Sequence, residues 1–391
     1  MPHILTLTGL YPSSARPRHG LFVEERLHHL LGTGGITVTV FAPVPWFPFT
    51  SKYFGEYARL ARTPRTGIRR DVEVRYPRYL SIPKIGMSLA PFLLALALLP
   101  KVRRLQKQQP NLALIDSHFL YPDGVAACLL GRWLGLPVLM TARGSDVNLY
   151  PQFAVPRALI RWAVRNSVRV IAVSEALRDA LLALGVEPAK VITLRNGVDR
   201  QRFRPLDRNE LRSRLGYAGT TLLSVGNLLE LKGHHLVIEA LANLPDVSLV
   251  IAGEGPLRNS LETLARQQGV VDRVRFVGTV AQDELVAHYN AADALVLASS
   301  REGMPNVVLE SLACGTPVIA TAVGGVPELL DTERVGRLVR QRSAAGIADA
   351  VRSLQARPAD RLEVAAHGAR FGWEPTVTRL RELMIETATR T

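Results

Sequence analysis

Residues 301–330 read REGMPNVVLESLACGTPVIATAVGGVPELL, and this stretch carries the clearest signal for the fold. The apolar run ALVLAS (294–299) precedes it, Pro305 can start a helix, and the β-branched run PVIATA (317–322) follows that helix. Both runs are short and continuously apolar, which is typical of strands that are buried on both faces. The stretch therefore predicts an α/β fold in which a parallel sheet is covered by helices.

The same alternation extends over the whole chain, in two successive sets. The predicted strands are HILTLTG, ITVTVFAP, LALIDSH, PVLMTA, VRVIAVS and VITLRNG in the first set, and TTLLSVGN, VSLVIAG, VRFVG, ALVLAS, PVIATA and VGRLV in the second. Gly, Pro and charged residues cluster at 197–215, between the two sets. We therefore expect two Rossmann-like, doubly wound domains facing a central cleft, with ligands bound beyond the carboxyl ends of the strands.

The length and composition indicate a globular protein of two domains. The chain has 391 residues, of which 47% are hydrophobic and 21% charged, so it is too long for one ordinary core and too apolar for disorder. Cys128 and Cys314 lie in apolar runs and form no C-x-x-C pair, which indicates buried thiols in a reducing compartment. The first residues, MPHILTLTGLYP, lack the pattern of a secretory signal. We therefore expect a cytoplasmic protein.

The positive charge is concentrated in the first half. Residues 1–205 hold 28 Lys and Arg against 12 Asp and Glu, whereas residues 206–391 hold 20 against 22. Residues 52–107 alone hold 13 basic and 3 acidic residues. This asymmetry predicts that the first domain faces an anionic partner. An arginine-rich composition on a solvated surface is the alternative interpretation.

Two segments interrupt the alternation of strands and helices. Residues 43–57 (PVPWFPFTSKYFGEY) are crowded with aromatic side chains, and residues 85–99 (IGMSLAPFLLALALL) are almost wholly apolar. The second segment has only 15 residues and contains Pro91, so it is too short to cross a bilayer. Both an ordinary buried helix and a helix lying in a membrane interface fit it, because the basic cluster and the aromatic residues flank it.

Candidate site residues in the second half follow predicted strands. Lys232, with Gly233 beside it, opens a helix after SVGN, a position that suits a phosphate group. The backbone amides from Gly303 to Asn306 would point at an anion, and a carboxylate such as Glu310 can accept two hydrogen bonds from vicinal sugar hydroxyls. A favourable interaction of Glu310 with the helix dipole is the alternative.

In the first half, Gly20 follows the first strand, where a glycine lets a phosphate or a sugar approach the backbone. His118 ends the run LALIDSH, and Gly144 and Asp146 follow the next run. A single histidine at a strand end is more often a polar cap than a catalyst, but several such residues at one sheet edge favour a site.

Several common sites are absent from the sequence. It has no Walker A loop, no H-E-x-x-H, no G-x-S-x-G, no cysteine cluster and no D-x-D pair. The segment GEGPLR (253–258) lacks the third glycine of a dinucleotide fingerprint. We therefore expect neither a metal nor a bound cofactor. We also do not expect nucleic acid as a partner, because the sequence has no recognisable nucleic-acid-binding motif and its aromatic residues are not interleaved with the basic ones.

The order of these motifs resembles glycosyltransferase family 4, whose members have the GT-B fold and retain anomeric configuration. The motifs are LYPSSARPRHGLFVEERLHHL, HFLYPDG, TARGSDVN, VSEALRD, RNGVDRQRFRP, SVGNLLELKG, LVIAGEGPLR, RVRFVGTV and EGMPNVVLESLACGTPVIATAVGGVPELL. They extend over almost the whole chain. Within the family, the start of the chain and the VGNL form are similar to enzymes that build exopolysaccharide, teichuronic acid or other envelope glycans.

The resemblance implies a role for each matching residue. Glu302 would contact the hydroxyls of the donor sugar, Glu310 the ribose, and Lys232 the diphosphate in place of a metal ion. His118 would contact the transferred sugar. Further donor-binding residues would be Gly20, Asn227, Gly253, Val280, Gly303, Met304, Pro305 and Asn306, and the acceptor side of the first domain would include Arg143, Gly144 and Asp146.

One residue departs from the family pattern. Asn227 stands where the family commonly has an arginine, so one phosphate-binding cation is missing. Either Lys232 suffices, or Arg301 or Arg143 replaces the missing cation, or the donor binds weakly.

The resemblance also implies how the chain is divided and what it binds. Residues 1–200 would bind the acceptor and 201–374 the nucleotide sugar, while a helix at 375–391 would pack back on the first domain. The enzyme would move a hexose-type sugar from a UDP- or GDP-linked donor to a glycan or polyprenyl-linked acceptor, at an anionic membrane surface. Two alternatives remain open: another GT-B enzyme, such as a sugar-nucleotide epimerase or a soluble glucan or sucrose synthase, and a peripheral membrane-binding protein without transfer activity.

Overall fold

The computed structural model describes residues 1–47, 49–51, 53, 55–81 and 86–389. The chain divides into two compact units. The first domain consists of Met1–Asn196 together with the segment from Glu374 onward, and the second domain is Gly197–Trp373.

The first domain is built on a mostly parallel sheet. Its strands are β1 His3–Leu7, β2 Thr37–Phe41, β3 Val44–Pro45, β4 Thr66–Arg69, β5 Val72–Arg75, β6 Arg78–Tyr79, β7 Leu112–His118, β8 Val138–Ala142, β9 Arg169–Ala172 and β10 Val191–Thr193. Eight of them pair in the order β10-β9-β8-β7-β1-β2-β5-β4, with only the β4–β5 pair antiparallel, while β3 and β6 form a separate pair, as far as the described residues go. The helices are α1 Leu21–Gly32, α2 Gly55–Ala61, α3 Ala90–Gln108, α4 Val125–Leu134, α5 Ser145–Asn148, α6 Ala154–Asn166 and α7 Glu175–Ala183.

The second domain repeats this architecture with a smaller sheet. Its strands are β11 Thr220–Val225, β12 Val247–Ala252, β13 Val274–Gly278, β14 Ala294–Leu297, β15 Val318–Thr321 and β16 Gly336–Val339, in the order β13-β12-β11-β14-β15-β16 and all parallel. The helices are α8 Arg208–Leu215, α9 His234–Ala240, α10 Arg258–Gln267, α11 Gln282–Ala291, α12 Asn306–Ala313, α13 Val326–Leu329, α14 Ala344–Ala356 and α15 Arg361–Gly368. The last helix, α16 Trp373–Thr389, begins at the domain boundary.

The predicted fold class is confirmed, because each apolar run identified in the sequence contains a strand. Strands β1, β8, β14 and β15 are buried along their whole length, as expected for a sheet with helices on both faces. Pro305 is the N-cap of α12, so the helix begins at Asn306, one position after the predicted start.

The hairpin β4–β5 was not expected from the sequence. Its segment, TGIRRDVEVR, is rich in charge and is half-exposed, so it lacks the continuous apolar pattern of the other strands. Two ion pairs attach it to α1: Arg69 to the buried Glu24 at 2.5 Å, and Arg70 to Glu25 at 2.6 Å. Tertiary ion pairs therefore act together with the buried Val72 and Val74 of β5 to hold this edge of the sheet.

The apolar segment 85–99 largely forms the first half of α3. Ile85 itself lies outside the described residues. Leu94 and Leu98 are fully buried in the first domain, whereas Phe92 and Leu96 are 38% and 59% exposed. The expectation of a buried helix is therefore right for one face of α3 and not for the other. In the part of the chain that the structure describes, no helix is long and apolar enough to cross a bilayer.

The aromatic segment 43–57 also presents side chains to solvent. Trp46, Phe49 and Tyr53 are more than half exposed, and Tyr57 is nearly so. Pro48, Lys52 and Phe54 lie outside the described residues.

The C-terminal helix packs on the first domain. Leu380, Leu383 and Met384 are buried on one face of α16, as their spacing predicts. Thr376 Oγ1 donates to the carbonyl of Arg195 at 2.8 Å, and Arg381 Nε donates to the carbonyl of Gly34 at 2.8 Å.

Candidate active site

The predicted donor-binding residues of the second domain follow the carboxyl ends of its strands. Asn227 follows β11 and is exposed, Gly253 follows β12, and Val280 follows β13 and is half-buried. Residues 301–306 follow β14 and lead into α12. Because all these strands are parallel, the residues share one edge of the sheet, where ligands of doubly wound sheets bind.

Two glycines allow the strand-end loops to pack backbone against backbone. A Cβ on Gly253, whose φ is 152°, would lie 1.9 Å from the carbonyl oxygen of Gly226. A Cβ on Gly324, whose φ is 53°, would lie 2.0 Å from the carbonyl oxygen of Glu302. Only glycine fits at such distances, so these residues set the spacing of the loops at the sheet edge.

Lys232 and Glu302 form an ion pair at this edge. The Lys232 Nζ lies 2.6 Å from Glu302 Oε1, and Ser299 Oγ donates to the same oxygen at 2.7 Å. The two side chains are 24% and 11% exposed, so the pair is largely but not fully removed from water. The sequence predicted one of these residues at a phosphate and the other at a sugar. The structure brings them into direct contact.

The start of α12 lies next to Glu302 in the chain. Gly303, Met304 and Pro305 are buried, and Asn306, the first helical residue, is half-buried. The first N–H groups of a helix have no acceptor within it, and the helix dipole adds partial positive charge there. The segment can therefore attract an anion.

Glu310 points to a buried hydroxyl group. Its Oε2 accepts a hydrogen bond of 2.7 Å from the hydroxyl of Tyr289 on α11. Burial, and next the Glu310 carboxylate, raise the pKa of Tyr289 well above its usual value, so that this hydroxyl stays protonated and donates. A tertiary partner thus orients Glu310, in addition to any interaction with the helix dipole.

In the first domain, His118 is buried between two charged residues. Arg143 Nη2 lies 2.8 Å from His118 Nδ1, and Asp116 Oδ2 lies 3.1 Å from His118 Nε2. Because a guanidinium only donates, Nδ1 must accept and Nε2 must carry the proton. Burial, opposed by Asp116, lowers the pKa of His118 to about 4. The imidazole is therefore neutral near pH 7, with both ring nitrogens engaged.

Arg143 is held in place by several neighbours. Its Nη1 donates to Asn196 Oδ1 at 2.8 Å, and its guanidinium lies 4.9 Å from the centre of the Phe22 ring. Burial and the neighbouring Arg26 lower the pKa of Arg143, which remains charged because arginine is not deprotonated in proteins.

Asp146 stabilises this edge of the sheet through backbone hydrogen bonds. It is fully buried, and its carboxylate accepts hydrogen bonds from the backbone amides of Arg143, Gly144 and Leu120, at 2.8–3.2 Å. Both oxygens are thus used to join the ends of β7 and β8. Asp146 therefore positions Arg143 and leaves no oxygen free for an acceptor.

Gly20 also lies at a close backbone contact. It caps α1 with a φ of 75°, and a Cβ there would lie 2.2 Å from the carbonyl oxygen of Leu10. The structure therefore requires glycine at this position for the turn itself.

Models of two related families match the chain. Residues 25–202 match "Glycosyltransferase Family 4" and residues 207–370 match "Glycosyl transferases group 1". The "Putative teichuronic acid biosynthesis glycosyltransferase TuaC" of Bacillus subtilis strain 168 is 31% identical over 355 residues, which cover 89% of this chain and 88% of that protein. This chain belongs to glycosyltransferase family 4. The predicted family is thereby confirmed, and the protein is a glycosyltransferase of glycan biosynthesis.

Other family members and solved structures agree with this assignment. A D-inositol 3-phosphate glycosyltransferase 2 of Catenulispora acidiphila is 38% identical over 291 residues, which cover 67% of this chain and 68% of that protein. Sucrose-phosphate synthase from Thermosynechococcus elongatus has a TM-score of 0.82 at 21% identity over the whole of both chains. Anabaena HepE in complex with UDP-glucose has a TM-score of 0.71 at 19% identity over the whole of both chains. The structural likenesses show the GT-B fold.

Several partners of the site residues in this family 4 chain were not predicted from the sequence. They are Ser299, Tyr289, Asn196, Asp116 and Asp123. Asp123 had a usable signal, because it is an acidic residue in the loop that follows β7. Tyr289 and Asn196 lie 21 and 53 residues along the chain from Glu310 and Arg143, so no local pattern marks them. Ser299 and Asp116 lie within three residues of Glu302 and His118, but nothing in the sequence shows which side chain they contact.

Asp123 is a buried carboxyl beside the loop after β1. Its Oδ2 accepts a hydrogen bond of 2.9 Å from the amide of Gly9. Burial, with a smaller contribution from Asp146, raises the pKa of Asp123 to about 7. A carboxyl with such a pKa at the ligand edge of a family 4 domain is a candidate functional group.

Proposed function

We propose that this protein is a retaining, metal-independent hexosyltransferase. It moves a hexose-type sugar from a UDP- or GDP-linked donor to a glycan or polyprenyl-linked acceptor in exopolysaccharide or other cell-envelope biosynthesis. In this proposal the second domain binds the donor and the first domain binds the acceptor.

The contact between Lys232 and Glu302 carries the proposal. In a nucleotide sugar, the anomeric carbon is bonded directly to a phosphate oxygen, so the charged and the hydroxyl-bearing parts of the donor are adjacent. An ammonium and a carboxylate 2.6 Å apart, next to the first turn of α12, match that adjacency. Lys232 would face the diphosphate and Glu302 the sugar hydroxyls.

The same residues supply the chemistry that the reaction needs. The bond between the anomeric carbon and the phosphate oxygen breaks while an acceptor hydroxyl attacks on the same face, and the acceptor proton passes to the departing diphosphate. Lys232 and the amides that start α12 stabilise the charge on that diphosphate, so that neither a metal ion nor an enzymic nucleophile is required. Glu310, oriented by Tyr289, would bind the ribose hydroxyls.

The geometry refines two of the expected roles. Both ring nitrogens of His118 are already hydrogen-bonded, so the ring can bind a sugar hydroxyl only if its hydrogen bond with Asp116 or with Arg143 is broken. Arg301 is the better replacement for the cation missing at Asn227. It is half-buried and has no hydrogen-bond or ion-pair partner in the described part of the chain, whereas Arg143 is bonded to Asn196.

A location at the inner face of the cell membrane belongs to the same proposal. Leu89, Phe92 and Leu96 are exposed on one side of α3, and residues 52–107 are strongly basic. Apolar side chains beside basic ones favour adsorption to an anionic leaflet. The name of the Bacillus subtilis relative also concerns an envelope polymer.

The test is a screen of nucleotide sugars. UDP-glucose, UDP-galactose and GDP-mannose are compared for thermal stabilisation of the protein and for hydrolysis of the donor. A bound donor at a hundredfold excess over Kd should stabilise the protein by about 2.7 kcal/mol. Donor conversion to another sugar nucleotide without an acceptor would instead support the epimerase alternative.

The matching variant is Lys232→Ala, which should abolish transfer and donor stabilisation because the diphosphate loses its only lysine. Arg352→Ala, on the exposed side of α14, changes the charge equally and should leave both unchanged. Near-normal turnover in Lys232→Ala would exclude the diphosphate role.

A further inference from the structure

We propose that the first domain has a second anion-binding site, which takes the phosphomonoester or diphosphate headgroup of a membrane lipid. The site is a groove of about 630 Å³, separate from the candidate active-site residues. Its walls come from the end of β2, the hairpin β4–β5 and the second half of α3. It deepens the proposed function and rests on its membrane location, to which it adds a defined headgroup site, while none of its residues is assigned to the donor or to the transfer reaction.

The groove is strongly cationic. Its walls contain Arg65, Arg75, Arg78, Lys101 and Arg104. Glu73 also lines it, but its carboxylate is paired with Arg75 at 2.7 Å. The other four cations have no carboxylate partner in the described part of the chain. Four unneutralised charges around one groove match a dianion or trianion better than a singly charged group.

The positive charges in the groove are partly desolvated and repel one another. Burial, followed by Arg65, lowers the pKa of Lys101 and also that of Arg78. Arg78 cannot turn away, because its Nη2 donates to the carbonyls of Ala61 and Thr63. An anion bound between these groups would remove the repulsion.

The surroundings of the groove indicate a lipid as the source of that anion. Trp46 lines the groove and is 52% exposed. The helix that supplies Lys101 and Arg104 carries the exposed apolar side chains of Phe92 and Leu96 in its first half. A lipid joins a phosphate to apolar chains, and exposed tryptophan is typical of the membrane–water interface. A free nucleotide or phosphate would make no use of this apolar surface.

The test uses the full chain without any nucleotide sugar, so its result does not depend on catalysis. Binding to phosphatidylcholine vesicles containing phosphatidic acid, a phosphomonoester, is compared with binding to vesicles containing phosphatidylglycerol, a phosphodiester, at matched surface charge. Inorganic pyrophosphate is the soluble probe. We expect a roughly tenfold preference for phosphatidic acid and competition by pyrophosphate.

The double variant with Arg65→Gln and Lys101→Gln removes two positive charges from the groove. It should lower binding to phosphatidic acid about tenfold, to the level of phosphatidylglycerol. The control pair Arg103→Gln with Lys107→Gln removes two exposed charges from the same helix outside the groove, and should weaken binding to both vesicles equally. Equal binding to the two lipids, or an equal loss of preference in the control, would overturn the proposal. Binding of pyrophosphate without any vesicle binding would overturn the lipid assignment.

Discussion

The environment of Asp123 shows how burial alone can change the chemistry of one residue. Its carboxyl is 6% exposed and accepts a hydrogen bond from the amide of Gly9, and among the described residues no cation contributes to its pKa. By contrast, Asp146 is fully buried but accepts several backbone hydrogen bonds, which oppose the effect of burial on its pKa. Burial therefore raises the pKa of both aspartates, and more backbone hydrogen bonds oppose the rise at Asp146 than at Asp123.

The variant Asp123→Asn tests this at the residue scale. The pKa of Asp123 is raised to about 7 in the folded state, whereas an unfolded aspartate titrates near about 3.9. The folded state therefore holds a proton that the unfolded state has lost, so wild-type stability should fall as pH rises from about 4 to about 7. The total loss should be a few kcal/mol, at about 1.4 kcal/mol per pKa unit.

Asparagine keeps the acceptor for Gly9 and does not titrate, so Asp123→Asn should lack this part of the pH dependence. Urea unfolding of both proteins at pH 5 and pH 8 measures it, because all other groups titrate alike in the two. If the stability difference between them is the same at both pH values, Asp123 does not have a raised pKa.

At the scale of elements, the loops at the carboxyl edge of the second sheet depend on glycines that tolerate close backbone contacts. Gly324 lies before α13 and places its own backbone against Glu302, and Gly325 N donates to Gly303 O at 2.9 Å. The loop after β15 thus holds the loop after β14, which carries Glu302. A change in one loop should therefore displace a residue of the other.

The variant Gly324→Ala should be destabilising and should weaken donor binding. The new Cβ would meet the Glu302 carbonyl oxygen at 2.0 Å, in addition to the cost of a positive φ. We expect a loss of roughly 3 kcal/mol or more, since both backbone strain and overpacking contribute. Chemical unfolding and donor titration measure the two effects.

Gly269→Ala is the matched control, because Gly269 has a φ of 66° and nothing within 4 Å of the new Cβ. It should cost only about 1–2 kcal/mol, the strain of the left-handed backbone. If both alanine variants lose the same free energy of unfolding, the contact with Glu302 does not contribute to the destabilisation.

At the scale of the molecule, the two domains differ in charge and in surface. The excess of Lys and Arg lies in residues 1–205, and the exposed aromatic residues Trp46, Phe49, Tyr53 and Tyr57 and the exposed face of α3 belong to the first domain. The second domain is close to neutral in sequence. Only the first domain therefore has the features of a surface that adsorbs to anionic lipid.

We expect the protein to float with vesicles that contain anionic lipid at low salt, and to be released as salt rises. The Debye length falls from about 10 Å at 0.1 M to about 3 Å at 1 M, so charge attraction is screened over this range. The pair Phe92→Ser with Leu96→Ser should weaken the binding that persists at intermediate salt, because it removes exposed apolar surface of α3. Absence of binding at low salt would exclude the membrane location.

The sequence by itself determined the fold class and the positions of the candidate loops. Parallel strands buried on both faces read as continuous apolar runs, and this signal is local, so β1, β7 and β14 could each be found without knowing their neighbours. The ligand edge follows from the direction of the strands. The hairpin β4–β5 escaped prediction because only alternate residues of β5 are apolar and buried, and ion pairs to α1 supply part of its tertiary contacts.

The tertiary structure alone decided which side chains meet. Lys232 and Glu302 are 70 residues apart in the chain, and Arg143 and Asn196 are 53 apart. Burial likewise made His118 neutral, and the fold brought the amide of Leu120, 26 residues away in the chain, to the carboxylate of Asp146. These properties depend on distances and desolvation set by several strands together, and no local pattern of residues encodes them.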